Sequence, residues 1–98
     1  MAKRYIEKRK FNESRNVLLK AIMENVESPV AYNLLGVLYE YSMEKNRAIK
    51  FYRIAYYFDQ TYAPARNNME RAGRAFGPGI SNIDFGDKEN EQDAQARS

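Results

Sequence analysis

Apolar residues recur along this chain at helical spacing, in blocks separated by polar or proline-bearing breaks. Over residues 2–10, Tyr5 and Ile6 stand among Lys3, Arg4, Glu7, Lys8 and Arg9, which predicts a short helix. Lys10 to Glu13 reads as a turn. Residues 12–25 carry Val17, Leu18, Ala21 and Ile22 on one helical stripe. Glu27-Ser28-Pro29 then stops one helix and starts another. Ser28 suits an N-cap, and Pro29 suits the first helical position, where an N–H would have no intrahelical partner. In residues 29–42, Val30, Ala31, Leu34, Leu35, Val37, Leu38 and Tyr41 are apolar over more than one face, which predicts a helix buried on two sides. After Met43-Glu44-Lys45, residues 46–58 predict its antiparallel partner, with Ala48, Ile49, Tyr52, Ala55 and Tyr56 on one stripe.

Asp59 to Tyr62 breaks that helix, and Pro64 opens another that is expected to run to about Phe76. Its stripe of Ala65, Met69, Ala72 and Phe76 is narrow, and Arg66, Asn67, Glu70, Arg71 and Arg74 occupy the other faces. Gly77-Pro78-Gly79 ends the helical region. The expectation is therefore an all-α domain over 1–76 and a flexible acidic tail over 77–98. From Gly86 onward no aromatic or branched apolar residue remains, too little to offset the entropy of ordering. Ile80, Ile83 and Phe85 just before form a small apolar motif able to dock.

Two stretches give the helices a family likeness. Tyr32-x-x-Leu35-Gly36-x-x-Tyr39 is followed by Ala48-x-x-x-Tyr52-x-x-Ala55. This pattern resembles the tetratricopeptide repeat, a 34-residue pair of antiparallel helices that stacks on copies of itself. Stepping back by 34, Tyr39 lands on Tyr5, Ala48 on Ser14, Tyr52 on Leu18 and Ala55 on Ala21, which match in kind. Stepping forward, Leu35 lands on Met69, but Gly36 lands on Glu70 and Tyr39 on Gly73, a departure from the pattern. Gln60 also stands where the family often has proline. The resemblance implies a short α-solenoid of about two and a half repeats. These are a truncated pair over 2–25, a complete repeat over 29–59 and a polar capping helix over 63–76. A first helix beginning so near Met1 fits a small protein and a piece of a longer array alike. In the pattern, Gly36, Ala48 and Ala55 leave room where paired helices meet, and Tyr32, Leu35, Tyr39 and Tyr52 fill the space around them.

Such repeats hold other proteins in a concave groove lined by the first helix of each pair. Carried onto this chain, the groove residues are Val30, Asn33, Val37, Glu40 and Tyr41, then Asn67, Arg71 and Arg74 from the capping helix, with Lys3 from the first pair. Asn33 and Asn67 lie 34 apart, and amides there can pair with the backbone of an extended peptide. Some family members clamp a chaperone's C-terminal carboxylate with Lys, Asn and Arg. Here Leu34, Pro64 and Asn68 occupy those positions, which argues against that clamp.

Composition narrows the function further. The chain has no Cys and no His, which removes disulfides, thiolate chemistry, the commonest general base and the commonest transition-metal ligand. Glu40 and Glu44 stand four apart without a nucleophile or phosphate loop, so a solvated face explains them better than catalysis. A non-enzymatic adaptor that needs no cofactor and binds a protein or peptide is the leading expectation. No apolar run approaches the roughly 18 residues of a membrane span, and Met1 to Lys10 lacks the core of a secretory signal, so a cytoplasmic site is expected. Residues 1–76 hold 14 Lys and Arg against 8 Asp and Glu, while 77–98 hold 2 against 5. That asymmetry fits a solubilising tail, or a tail competing for the body's own groove. Nucleic-acid binding through the basic body is a weaker alternative, because no base-reading motif accompanies the charge. Self-association of a short array is the other. Among the crowded aromatics, Tyr52 and Tyr56 are expected in the core, with Phe51 or Tyr57 exposed.

Overall fold

The computed structural model describes residues 2–74 and 82–87. It contains helices α1 (Ala2–Glu7), α2 (Phe11–Glu24), α3 (Pro29–Tyr41), α4 (Lys45–Phe58) and α5 (Ala63–Ala72), and no strand among the described residues. The expected helices all form. α1 stops short of residue 10, and α5 ends in a turn at Gly73 and Arg74, short of Phe76, which lies outside the described residues. No described helix is long and apolar enough to cross a membrane.

The turns repeat the same chemistry 34 residues apart. After α1, Arg9 takes a left-handed conformation with φ 60°, Lys10 N–H donates to the Tyr5 carbonyl at 2.8 Å, and Arg9 N–H to that of Ile6 at 2.9 Å. After α3, Met43 has φ 66°, Glu44 N–H donates to the Tyr39 carbonyl at 2.8 Å, and Met43 N–H to that of Glu40 at 3.0 Å. This paired pattern satisfies carbonyls that a helix end otherwise leaves open. The other turns agree as well. Asn25 and Asp59 are the extended C-caps of α2 and α4, and each side chain accepts the N–H two residues on, from Glu27 at 3.1 Å and Thr61 at 2.9 Å. Those short acceptor side chains turn the backbone locally. Ser28 caps α3 by accepting the Ala31 N–H at 3.3 Å, with Pro29 in the first turn.

α3 is the central element and packs against α1, α2, α4 and α5. Its run from Leu35 to Glu40 is buried without interruption. Against α4 the close approach is made at Gly36, where an added Cβ would lie 2.3 Å from Cε1 of Tyr52. Tyr52, Ala48 and Ala55 are fully buried on the facing side. Ser14, 34 residues before Ala48, is equally buried and donates its hydroxyl to the Phe11 carbonyl at 3.0 Å, so the small position tolerates the polar atom. Ile6, Leu18, Leu35, Val37, Leu38 and Ile83 join the same core. Each large apolar side chain buried there contributes about 1.5–3 kcal/mol.

Ile83 belongs to the stretch expected as a flexible tail. That boundary at 77 is corrected for residues 82–87, which lie against the helices and bury Ile83 and Asp84. The apolar spacing of Ile83 and Phe85 supplies the reason, since both find core neighbours. The remainder of 77–98 lies outside the described residues.

Candidate functional site

α1, α3 and α5 together present one face, and residues 82–87 lie on it. The contacts begin with two asparagines that the helices bury completely, Asn33 on α3 and Asn68 on α5. Asn68 Oδ1 accepts the Asp84 backbone N–H at 2.8 Å, and Asn68 Nδ2 donates to the Asp84 carbonyl at 2.7 Å. Asn33 Nδ2 donates to the same carbonyl at 3.1 Å, and Asn68 Nδ2 also bonds Asn33 Oδ1 at 2.9 Å. A side-chain amide carries the donor and acceptor of a peptide group, so one asparagine can pair with both main-chain groups of one residue. Because buried backbone groups must find partners, this arrangement places the segment's register at Asp84.

Around that point the side chains are held as well. Asn67 Nδ2 lies 3.3 Å from Asp84 Oδ2, and Asp84 Oδ1 accepts the Gly86 N–H at 2.9 Å. The Phe85 ring meets Tyr41 at 6.0 Å between centroids, and the Lys3 ammonium sits 5.0 Å from the Phe85 centroid. Lys3 also pairs with Asp87. Tyr41 has its phenol pushed up by burial first and by the Glu7 charge second. Arg9 lies 5.8 Å from the Tyr41 ring and donates to the Tyr41 carbonyl at 3.0 Å.

Beneath the asparagines lies a buried charged network. Arg71 from α5 reaches Glu40 of α3 with both terminal nitrogens, Nη1 standing 3.0 Å from Oε2. Tyr52 of α4 donates its hydroxyl to Glu40 Oε1 at 2.6 Å. The Arg71 and Glu40 side chains are only 7% and 5% exposed, so the pair depends on these mutual bonds for solvation. Burial raises the Tyr52 phenol far above its ordinary value, and the neighbouring Glu40 charge adds to that. Burial pulls Arg71 downward, but the hydrogen bonds and charge of Glu40 outweigh it, so the guanidinium stays protonated. The network ties α3, α4 and α5 together under the groove.

Several expected groove residues therefore converge. Asn33, Tyr41, Asn67 and Lys3 all touch residues 82–87. Glu40 and Arg71 form the buried layer below instead of lining the groove as free side chains, because each is the other's counter-charge. Val37 is fully buried in the core, since its face of α3 is covered. Val30 is 48% exposed at the start of α3. Arg74 is exposed, and its carbonyl accepts from Lys45 Nζ at 3.2 Å. Of the two repeat-related asparagines, Asn67 reaches only the Asp84 side chain. The backbone is read by Asn33, as its place in the offset suggests, and on α5 by Asn68, which the 34-residue offset does not select. Its signal was the apolar stripe, because Asn68 stands three residues after Ala65 and four before Ala72 and so shares their buried face of α5. Among the expected aromatics, Tyr52 is fully buried, Tyr56 half-buried, Phe51 stacked on Tyr39 at 5.3 Å, and Tyr57 78% exposed.

No protein-family model, curated protein or solved structure matches this chain.

Proposed function

We propose that this chain is a non-enzymatic protein-interaction module of tetratricopeptide-repeat type, holding a peptide segment in the groove formed by α1, α3 and α5. The observation that carries the reading is the grip of Asn33 and Asn68 on both main-chain groups of Asp84. A main-chain grip suits a polypeptide ligand, since every residue except proline offers the same donor and acceptor. The turn chemistry that recurs between Arg9 and Met43, and between Asn25 and Asp59, supports the repeat assignment. The Glu40–Arg71–Tyr52 layer supports a preorganised floor, which lowers the ordering cost of binding.

Phage display of short peptides on the full chain tests this. Selected peptides should bind the intact protein and lose at least about tenfold in affinity to an Asn33→Ala, Asn68→Ala variant that keeps its helical circular dichroism. Peptides that bind both proteins equally would remove the groove as the site.

A further inference from the structure

Each of residues 83–87 meets groups of the helical body or the turn before α5. Ile83 enters the shared core at 6% exposure. Asp84 gives its main chain to Asn33 and Asn68, and its carboxylate bridges Asn67 and the Gly86 N–H. Phe85 lies between Tyr41 and the Lys3 ammonium. Gly86 has φ 91°, a backbone conformation that favours glycine, and an added Cβ would lie 2.3 Å from the Tyr62 hydroxyl, which would have to move aside. Asp87 pairs with Lys3. Asn82 alone is exposed. A plain backbone clamp needs only the asparagines, whereas this face distinguishes five side-chain positions.

We infer that the groove's partner is a segment of another protein with the order branched apolar, Asp, aromatic, Gly, acidic, and that residues 83–87 are this chain's own copy of that order, seated as an intramolecular competitor. The inference rests on the groove reading above. Charge complementarity supports an acidic ligand, because residues 1–76 carry 14 Lys and Arg against 8 Asp and Glu. The tether argues against a second copy of the chain as occupant. A short linker gives the attached segment a local concentration on the order of millimolar, which the same segment from another copy at micromolar levels does not match. A partner wins by binding more tightly or by being present in many linked copies. Its apparent affinity is reduced by the fraction of time the groove stands open.

The test uses the full chain, a Gly86→Val variant and a Phe85→Ala variant, with light scattering and circular dichroism on each. The probes are a fluorescent peptide Asn-Ile-Asp-Phe-Gly-Asp, the same peptide with valine in place of glycine, and a pool of unrelated hexapeptides. The expected result is that both variants keep their helices and bind the patterned peptide at least about tenfold more tightly than the unaltered chain. The valine peptide and the pool should bind far more weakly. If the opened variants bind the pool as well as the patterned peptide, the pattern is overturned while the groove reading survives. If they stay helical and bind no peptide, both fall. Loss of helical structure in both variants would make the segment a permanent part of the core and overturn the inference. So would an unaltered chain that is dimeric and becomes monomeric on Phe85→Ala, because the occupant would then be a second copy.

Discussion

Toward α4, helix α3 presents Gly36 to the ring of Tyr52, with fully buried Ala48 and Ala55 on the facing helix. Toward α5 the same helix presents Asn33 and Glu40 to Asn68 and Arg71, and a chain segment completes the hydrogen bonds. The α4 side is held by packing, which is non-directional and roughly proportional to area. The α5 side is held by buried polar groups, which cost free energy unless every partner is present. The first kind of contact builds a scaffold that stands by itself. The second leaves a surface whose stability depends on what occupies it. Tyr52 joins the two, because its ring closes the apolar side and its hydroxyl reaches Glu40.

Breaking the polar side should have the largest effect. Glu40→Ala leaves Arg71 buried without its counter-charge and should cost about 3–5 kcal/mol in a urea titration. The paired change Glu40→Leu with Arg71→Met should recover most of that loss, and a double variant as weak as the single one would contradict the charge argument. On the apolar side, Gly36→Leu drives a side chain into the Tyr52 ring and should destabilise by about 1–3 kcal/mol, read as a lower melting temperature. An unchanged melt would remove the close approach as the organising contact.

Asn68→Ala should cost about 1–3 kcal/mol, because it leaves the Asp84 N–H buried without its acceptor. Hydrogen exchange locates that loss, and the Asp84 amide should lose protection before the amides of α4. Asn33→Ala should cost less, since the Asp84 carbonyl keeps its bond to Asn68.

High pH separates the two sides through Tyr52. The folded chain holds this proton far above the ordinary phenol value of 10.0, while the unfolded chain releases it near that value. Above about pH 10 the folded state therefore binds more protons, and stability falls as pH rises, by about 1.4 kcal/mol per pH unit for this group. Tyr52→Phe should show a shallower loss between about pH 9 and about pH 11. Equal slopes for the two proteins would count against burial as the cause.

The smallest effect belongs to the groove's outer edge. Lys3 and Asp87 side chains are 42% and 38% exposed, so solvent screens their pairing. Lys3→Ala should change stability by about 0–1 kcal/mol, with the difference shrinking in high salt. A larger, salt-independent loss would move weight to the contact between Lys3 and Phe85.

The apolar side was legible because packing leaves a periodic trace. Ala48, Tyr52 and Ala55 stand at helical spacing, and Ser14 and Leu18, 34 residues before the first two, are buried as well. The polar side was partly legible. The offset pointed to Asn33 and Asn67, and Asn33 does reach the Asp84 carbonyl, but on α5 the backbone is read by Asn68, because rotation about α5 decides which of two adjacent amides turns inward. Glu40 and Arg71 carried the right face and a different role, since no local pattern says that two charges 31 residues apart will neutralise each other. Gly86 looked like the start of a polar tail, and only its φ of 91° under Tyr62 gives it a structural meaning.

By itself the sequence determined the five helices, their breaks and the small residues at the α3–α4 seam. Each of these depends on neighbours within a turn or two of helix, or on a repeat of fixed length. The tertiary structure alone decided that Asp84 meets Asn33 and Asn68, that Glu40 is buried against Arg71, and that residues 82–87 lie against α1, α3 and α5. Those outcomes depend on directional bonds between residues far apart in the chain, whose partners exist only once the helices have packed.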